Sequence, residues 1–241
     1  MRFFAALAFV CALAACQPVA EPAAPPAGKV LYLGQALYDD AVFDRDVLAM
    51  QAALSQHYGG LERAIIGGNV LPDMPPLSEP GKAVAQLAAE AVDGRDLVVV
   101  MLTSHGRPGE MAVSLPGEEP RVLSGARLAQ ILQPLENDLQ VVILQACYSG
   151  SLIPALRHPN RIVLTAARAD RPSFGCQPDE KNTWFIKALS AELAAPGSWQ
   201  SVFARTRARV RAYEAAQGMT KHSEPQSEVG AAMAAIWKGQ R

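Results

Sequence analysis

A cysteine and a histidine in this chain each close an apolar run of strand length and each stand beside small residues. Val141 to Gly150 reads V-V-I-L-Q-A-C-Y-S-G, and Leu97 to Gly106 reads L-V-V-V-M-L-T-S-H-G. A thiol is a modest nucleophile until a base raises its thiolate fraction. An imidazole can do that and can later protonate a leaving amine. Cys147 and His105 therefore form a candidate nucleophile–base dyad. Gly106 lets backbone approach a substrate carbonyl closely, and its N–H together with that of Cys147 makes a candidate oxyanion hole. Taken singly, a strand-end cysteine is usually a small buried hydrophobe and a lone histidine a satisfied core or surface residue. The shared strand-then-turn grammar, with enough chain between the two for a parallel crossover, is what joins them.

For the pair to meet, the two runs must be neighbouring parallel strands with a common C-terminal edge, where open α/β sheets bind ligands. The rest of the pattern supplies such a sheet. Val30–Gly34, Leu61–Ile66 and Ile162–Thr165 read as further strands. Helices are expected over Val42–Tyr58, Lys82–Val92, Ala126–Leu132, Thr183–Leu193 and Ser201–Ala216. Gly109–Leu123 reads as a short hairpin and the proline-rich Leu71–Pro80 as a loop. Strands alternating with helices predict a parallel sheet between helix layers. The basic repeat Arg205 to Arg211 scatters charge around a helix and reads as a solvated face, and His57, His158 and His222 lack strand-end placement.

Ser104-His105-Gly106 followed by Gln145-Ala146-Cys147 resembles, in order and spacing, the cysteine peptidases of the legumain and caspase clan. Tyr148-Ser149 stand before Gly150 where a caspase signature is shorter, so the resemblance is to legumain-like members. Ile162–Cys176, I-V-L-T-A-A-R-A-D-R-P-S-F-G-C, looks like the strand and loop that follow the nucleophile in such enzymes and their bacterial relatives. The resemblance covers about residues 30 to 235. It implies a caspase-like three-layer α/β/α sandwich with a mostly parallel central sheet. It also implies that the position two before the cysteine, here Gln145, helps hold a substrate side chain. Legumain-like enzymes carry an acidic residue there, so asparaginyl specificity does not carry over. Arg168, Asp170, Arg171 and Ser173 lie on the loop after the next strand, which makes Asp170 and Ser173 candidates for that pocket. Legumain-like enzymes carry a residue after the first strand that orients the histidine. Asp39 is the candidate for that part here, while capping of the Val42 helix by Asp40 or its neighbour is the expected role of the pair.

The chain has 241 residues, half of them hydrophobic and 19% charged, with a net charge of −1. That allows one sizeable core and argues against a nucleic-acid binder. Met1-Arg2, the apolar Phe3–Leu13 and then Leu13-Ala14-Ala15-Cys16 resemble a bacterial lipoprotein signal. Residues 1–15 are then a signal peptide, with Cys16 lipidated. Residues 16–29 are a proline- and alanine-rich spacer and 30–241 the peptidase domain. Gln17 rather than Asp follows Cys16, which points to the outer membrane, facing the periplasm. Of four cysteines, Cys147 and Cys176 remain in the domain. Cys176 is a structural thiol or a redox lock on Cys147. No C-x-x-C pair or histidine cluster with zinc spacing occurs, so no metal or other cofactor is expected.

The reading is a lipid-anchored cysteine endopeptidase of the bacterial envelope that takes peptide or protein substrates. A transpeptidase of the same clan and a non-catalytic envelope lipoprotein that binds peptides are the alternatives.

Overall fold

The computed structural model describes residues 28–74 and 80–240. The signal segment, Cys16 and most of the proline-rich spacer lie outside them, as do residues 75–79 of the expected Leu71–Pro80 loop. A six-stranded sheet runs in the order β2 (Arg63–Gly67), β1 (Val30–Ala36), β3 (Leu97–Thr103), β7 (Leu139–Gln145), β8 (Arg161–Thr165) and β9 (Gln226–Val229). All neighbours are parallel except β8 and β9.

Every residue of β1, β3 and β8 is buried. Such runs are stable only with both faces covered, and the side chains divide between two cores. Val99, Met101, Val141 and Ile143 face one side, where α1 (Ala41–Tyr58), α5 (Trp184–Leu193) and α6 (Trp199–Ala216) contribute Met50, Leu54, Phe185, Leu189 and Phe203. Val98, Val100, Val142 and Leu144 face the other, against α2 (Pro80–Glu90), α3 (Gly125–Leu132) and α4 (Ile153–Leu156). This is the three-layer sandwich the pattern predicts. Helix α2 begins at Pro80, a residue that suits a first turn because its missing N–H has no helical partner there. A last short helix, α7, covers Ala234–Lys238.

Three features depart from expectation. β9 is a four-residue edge strand, Q-S-E-V, with too little apolar alternation to read as a strand by itself. The expected hairpin is a three-stranded antiparallel sheet of β4 (Gly106–Arg107), β5 (Glu110–Val113) and β6 (Arg121–Ser124), and it starts directly after His105. The basic repeat on α6 is also only half solvated. Arg205 Nε and Arg209 Nε both donate to the Glu192 carboxylate, at 2.7 and 2.6 Å, which pins α6 to α5.

Candidate active site

Strand register sets the site. Thr103 pairs with Gln145 on the adjacent β7, so His105 and Cys147 each lie two residues beyond one level of the sheet. Parallel neighbours are about 4.8 Å apart, so both side chains emerge at one edge. Ala36 is level with Thr103, and the chain leaving β1 passes the same edge on its way to α1.

That exit segment holds the imidazole. His105 Nε2–H donates to Asp40 Oδ2 at 2.9 Å, and the rings of Tyr38 and Phe43 meet the imidazole edge-on at 4.8 and 5.1 Å. The carboxylate at the histidine is thus that of Asp40 and not of Asp39, which is exposed. Asp40 does occupy the N-cap of α1, but its side chain makes no cap bond there. The expected role of capping gives way because that carboxylate is turned across the sheet edge to the imidazole. His105 and Asp40 side chains are 39% and 46% exposed. A pair so wet contributes about 0–1 kcal/mol to stability, so its effect is on ring orientation and tautomer.

Cys147 leads into a tight turn. Tyr148 is left-handed at φ 58°, a conformation unusual for a side chain of its size. The turn is stitched to the loop after β8: Tyr148 N donates to Arg171 O at 2.8 Å, Gly150 N to Ala167 O at 2.9 Å, and Ala167 N to Ser149 Oγ at 3.2 Å. It is stitched to the His105 side as well, since Gly109 N donates to Ser151 Oγ and that hydroxyl donates to Tyr148 O. A Cβ on Gly150 would lie 2.8 Å from Ala167 O, so only glycine permits this approach. The thiol itself rests on Ser173, accepting from its N–H at 3.3 Å and donating to its carbonyl at 3.4 Å. His105 and Cys147 share the edge without a hydrogen bond between them.

Gln145 and Ser173 are brought together, Gln145 Nε2 donating to Ser173 Oγ at 3.3 Å. Both are at least nine-tenths buried, and Gln145 Oε1 has no hydrogen-bond partner among the described residues. Asp170 is elsewhere. Both its oxygens accept from Arg168, at 2.6 and 3.1 Å, in an exposed ion cluster with Glu224 and Arg171. The Arg168 hydrogen bonds hold its pKa down at about 2. Among the described residues the Asp170 carboxylate is thus engaged by Arg168, two residues away, and not by Gln145 or Ser173.

Asp46 was not singled out by sequence, yet it ties the site together. It is buried on α1 and accepts from Thr183 N (3.0 Å), Asn182 Nδ2 (3.1 Å), Thr183 Oγ1 (2.7 Å) and Thr103 Oγ1 (3.2 Å). One carboxyl thereby links the end of the His105 strand to the end of the loop carrying Ser173. Burial pushes its pKa up to about 7, against those hydrogen bonds, which lower it. The available signal was an acidic residue on the apolar stripe Val42, Val47, Met50, Leu54.

Cys176 follows a turn in which Trp184 N donates to Phe174 O, and a Cβ on Gly175, at φ 88°, would strike Trp184. Both Cys147 and Cys176 are free thiols. Burial pushes the Cys176 thiol up, and the nearby Cys147 and Asp40 push it further. Among the described residues no group of three or more His, Cys, Asp or Glu is placed to hold a metal ion.

Gly106 abuts Cys147: a Cβ there would lie 2.5 Å from Cys147 O and 2.9 Å from Ala146 Cβ. Gly106→Ala must therefore push the two strand ends apart. Displacements near 1 Å in such sites cost about a hundredfold. The expected result is a folded protein whose Cys147 reacts with a peptidyl electrophile about a hundredfold more slowly; an unchanged rate refutes the close-approach requirement.

A model of the Peptidase C13 family matches residues 84–236, a span that contains His105, Gly106, Gln145, Cys147 and Ser173 but neither Asp40 nor Asp46. In fold the chain is similar to the crystal structure of caspase-1 from Spodoptera frugiperda, with a TM-score of 0.59 at 15% sequence identity, over 86% of this chain and 89% of that one. No curated protein matches the chain in sequence.

Proposed function

The chain belongs to the Peptidase C13 family and is a legumain-like, cysteine-type peptidase of caspase-like fold; from that premise we propose that it cleaves internal peptide bonds with Cys147 and His105 as its dyad. The observation that carries this is the level register of β3 and β7, which brings the two side chains to one edge with the imidazole held by Asp40. Asp40 accepts a hydrogen bond from Nε2–H, leaving Nδ1 to take the proton of the thiol as sulfur attacks the peptide carbonyl. The N–H groups of Gly106 and Cys147 receive the developing oxyanion. As the C–N bond breaks, Nδ1–H protonates the departing amine. Water then adds to the thioester with its proton passing to Nδ1; the C–S bond breaks, the carboxylic acid leaves, and Nδ1–H returns the proton to the thiolate sulfur. The Gln145–Ser173 pair offers a polar pocket to the side chain on the acyl side.

The N-terminal pattern supports an exported enzyme held at the bacterial envelope through lipidated Cys16. Fractionation that finds the protein soluble in the cytosol with Met1 retained refutes that part alone.

The chemistry is tested by treating the reduced protein with peptidyl acyloxymethyl ketones bearing Asn, Asp or Arg and mapping the adduct by mass. The expected adduct is on Cys147, is absent from His105→Ala and spares Cys176, whose raised pKa keeps it protonated near pH 7. A folded protein inert to the whole series, or modified first at Cys176, refutes the dyad.

A further inference from the structure

We infer that the depression beside His105, bounded by Gly106, Met111, Ala112 and Val122, is a subsite for an apolar side chain on the leaving-group side of the scissile bond. This rests on the dyad proposed above and names what it selects. Sidedness follows from the two residues. Ser173 and Gln145 lie on the Cys147 side, so the acyl half of the substrate occupies that flank. The departing amine takes its proton from His105, so the residue that carries it lies against the imidazole, where the depression opens.

Its size and lining decide the occupant. A volume of about 210 Å³ is below the roughly 300–1,000 Å³ of small-molecule pockets and suits one side chain. Met111 is fully buried at the floor. Ala112 and Val122 are cross-strand partners on β5 and β6, and the small alanine opposite the valine leaves the hollow. Val122 is 47% exposed, one of few large apolar side chains in that state among the described residues. Arg107, at the rim, has its guanidinium bound to Glu110 at 2.6 Å, so it offers the hollow a hydrocarbon stem rather than a free cation.

The test is digestion of a diverse synthetic peptide pool by the full-length protein, with the new N-termini read by mass spectrometry. Leu, Ile, Met and Phe are expected there about tenfold more often than Gly or Asp, the discrimination an apolar pocket provides. Val122→Asp should abolish that enrichment and favour Lys and Arg. Ala112→Leu fills the hollow and should shift cleavage towards Gly and Ala. A flat wild-type profile, or the same profile in both variants as in wild type, overturns the subsite while leaving the peptidase reading standing. A wild-type protein that cleaves nothing and whose Cys147 takes no electrophile overturns the dyad, and the subsite with it.

Discussion

His105→Ala is expected to lower kcat/KM by about 10² to 10⁴, the range for losing a positioned general base and acid, without loss of folded protein. Asp40→Ala should cost about ten- to a hundredfold. It falls short of the roughly 10⁴ seen for a buried triad carboxylate, because the Asp40–His105 pair is nearly half exposed and water can take the vacated place. The loss should fall on kcat with KM little changed, since the carboxylate acts through the imidazole it holds. Asp39→Ala, one residue away and exposed, should leave both constants within about twofold of wild type. Steady-state kinetics on any peptide that the protein cleaves, with thermal melts as a folding control, check all three. Equal losses at Asp39 and Asp40 would sink the assignment of Asp40 as the residue that orients the ring.

Asp46→Asn is expected to raise stability at pH 8 by up to about 4 kcal/mol and to leave it unchanged near pH 3. The carboxyl titrates near 7 in the folded protein against 3.8 as its ordinary value, a raised acid pKa. Between these values the native state holds a proton that the unfolded chain has released. The unfolded state binds fewer protons, so stability falls as pH rises from about 4 to 7 and levels off above. Each unit of difference is about 1.4 kcal/mol, which sets the size. Asparagine keeps the acceptor for Thr183 N and Asn182. It also places an amide where the hydroxyls of Thr103 and Thr183 can turn to accept. Chemical denaturation of both proteins at several pH values measures the effect. Parallel stability curves across pH 4 to 8 would show that Asp46 is not the titrating group.

Much of the fold was legible because it depends on local patterns. Runs such as Leu97–Thr103 and Leu139–Gln145 are long, apolar and β-branched, and the helices between them carry a clear stripe, so a parallel sheet within helix layers follows from periodicity. The placement of Cys147 and His105 at one sheet edge was legible for the same reason, since each stands just beyond such a run. The four-residue β9 was not, because nothing in Q-S-E-V separates an edge strand from a loop until β8 offers it hydrogen bonds.

The sequence by itself determined the parallel strands of the sheet, the chain order of its main elements and the two residues that close its central strands, since hydrophobic period and strand-end chemistry are properties of neighbours along the chain. Only the tertiary structure decided which of two adjacent aspartates meets His105, that Asp170 pairs with Arg168, and that Asp46 joins the His105 strand to the Ser173 loop. Each of those turns on where a side chain points across 2 to 3 Å. The composition of a segment does not encode such a direction; strand register and the packing of α1 on the sheet do.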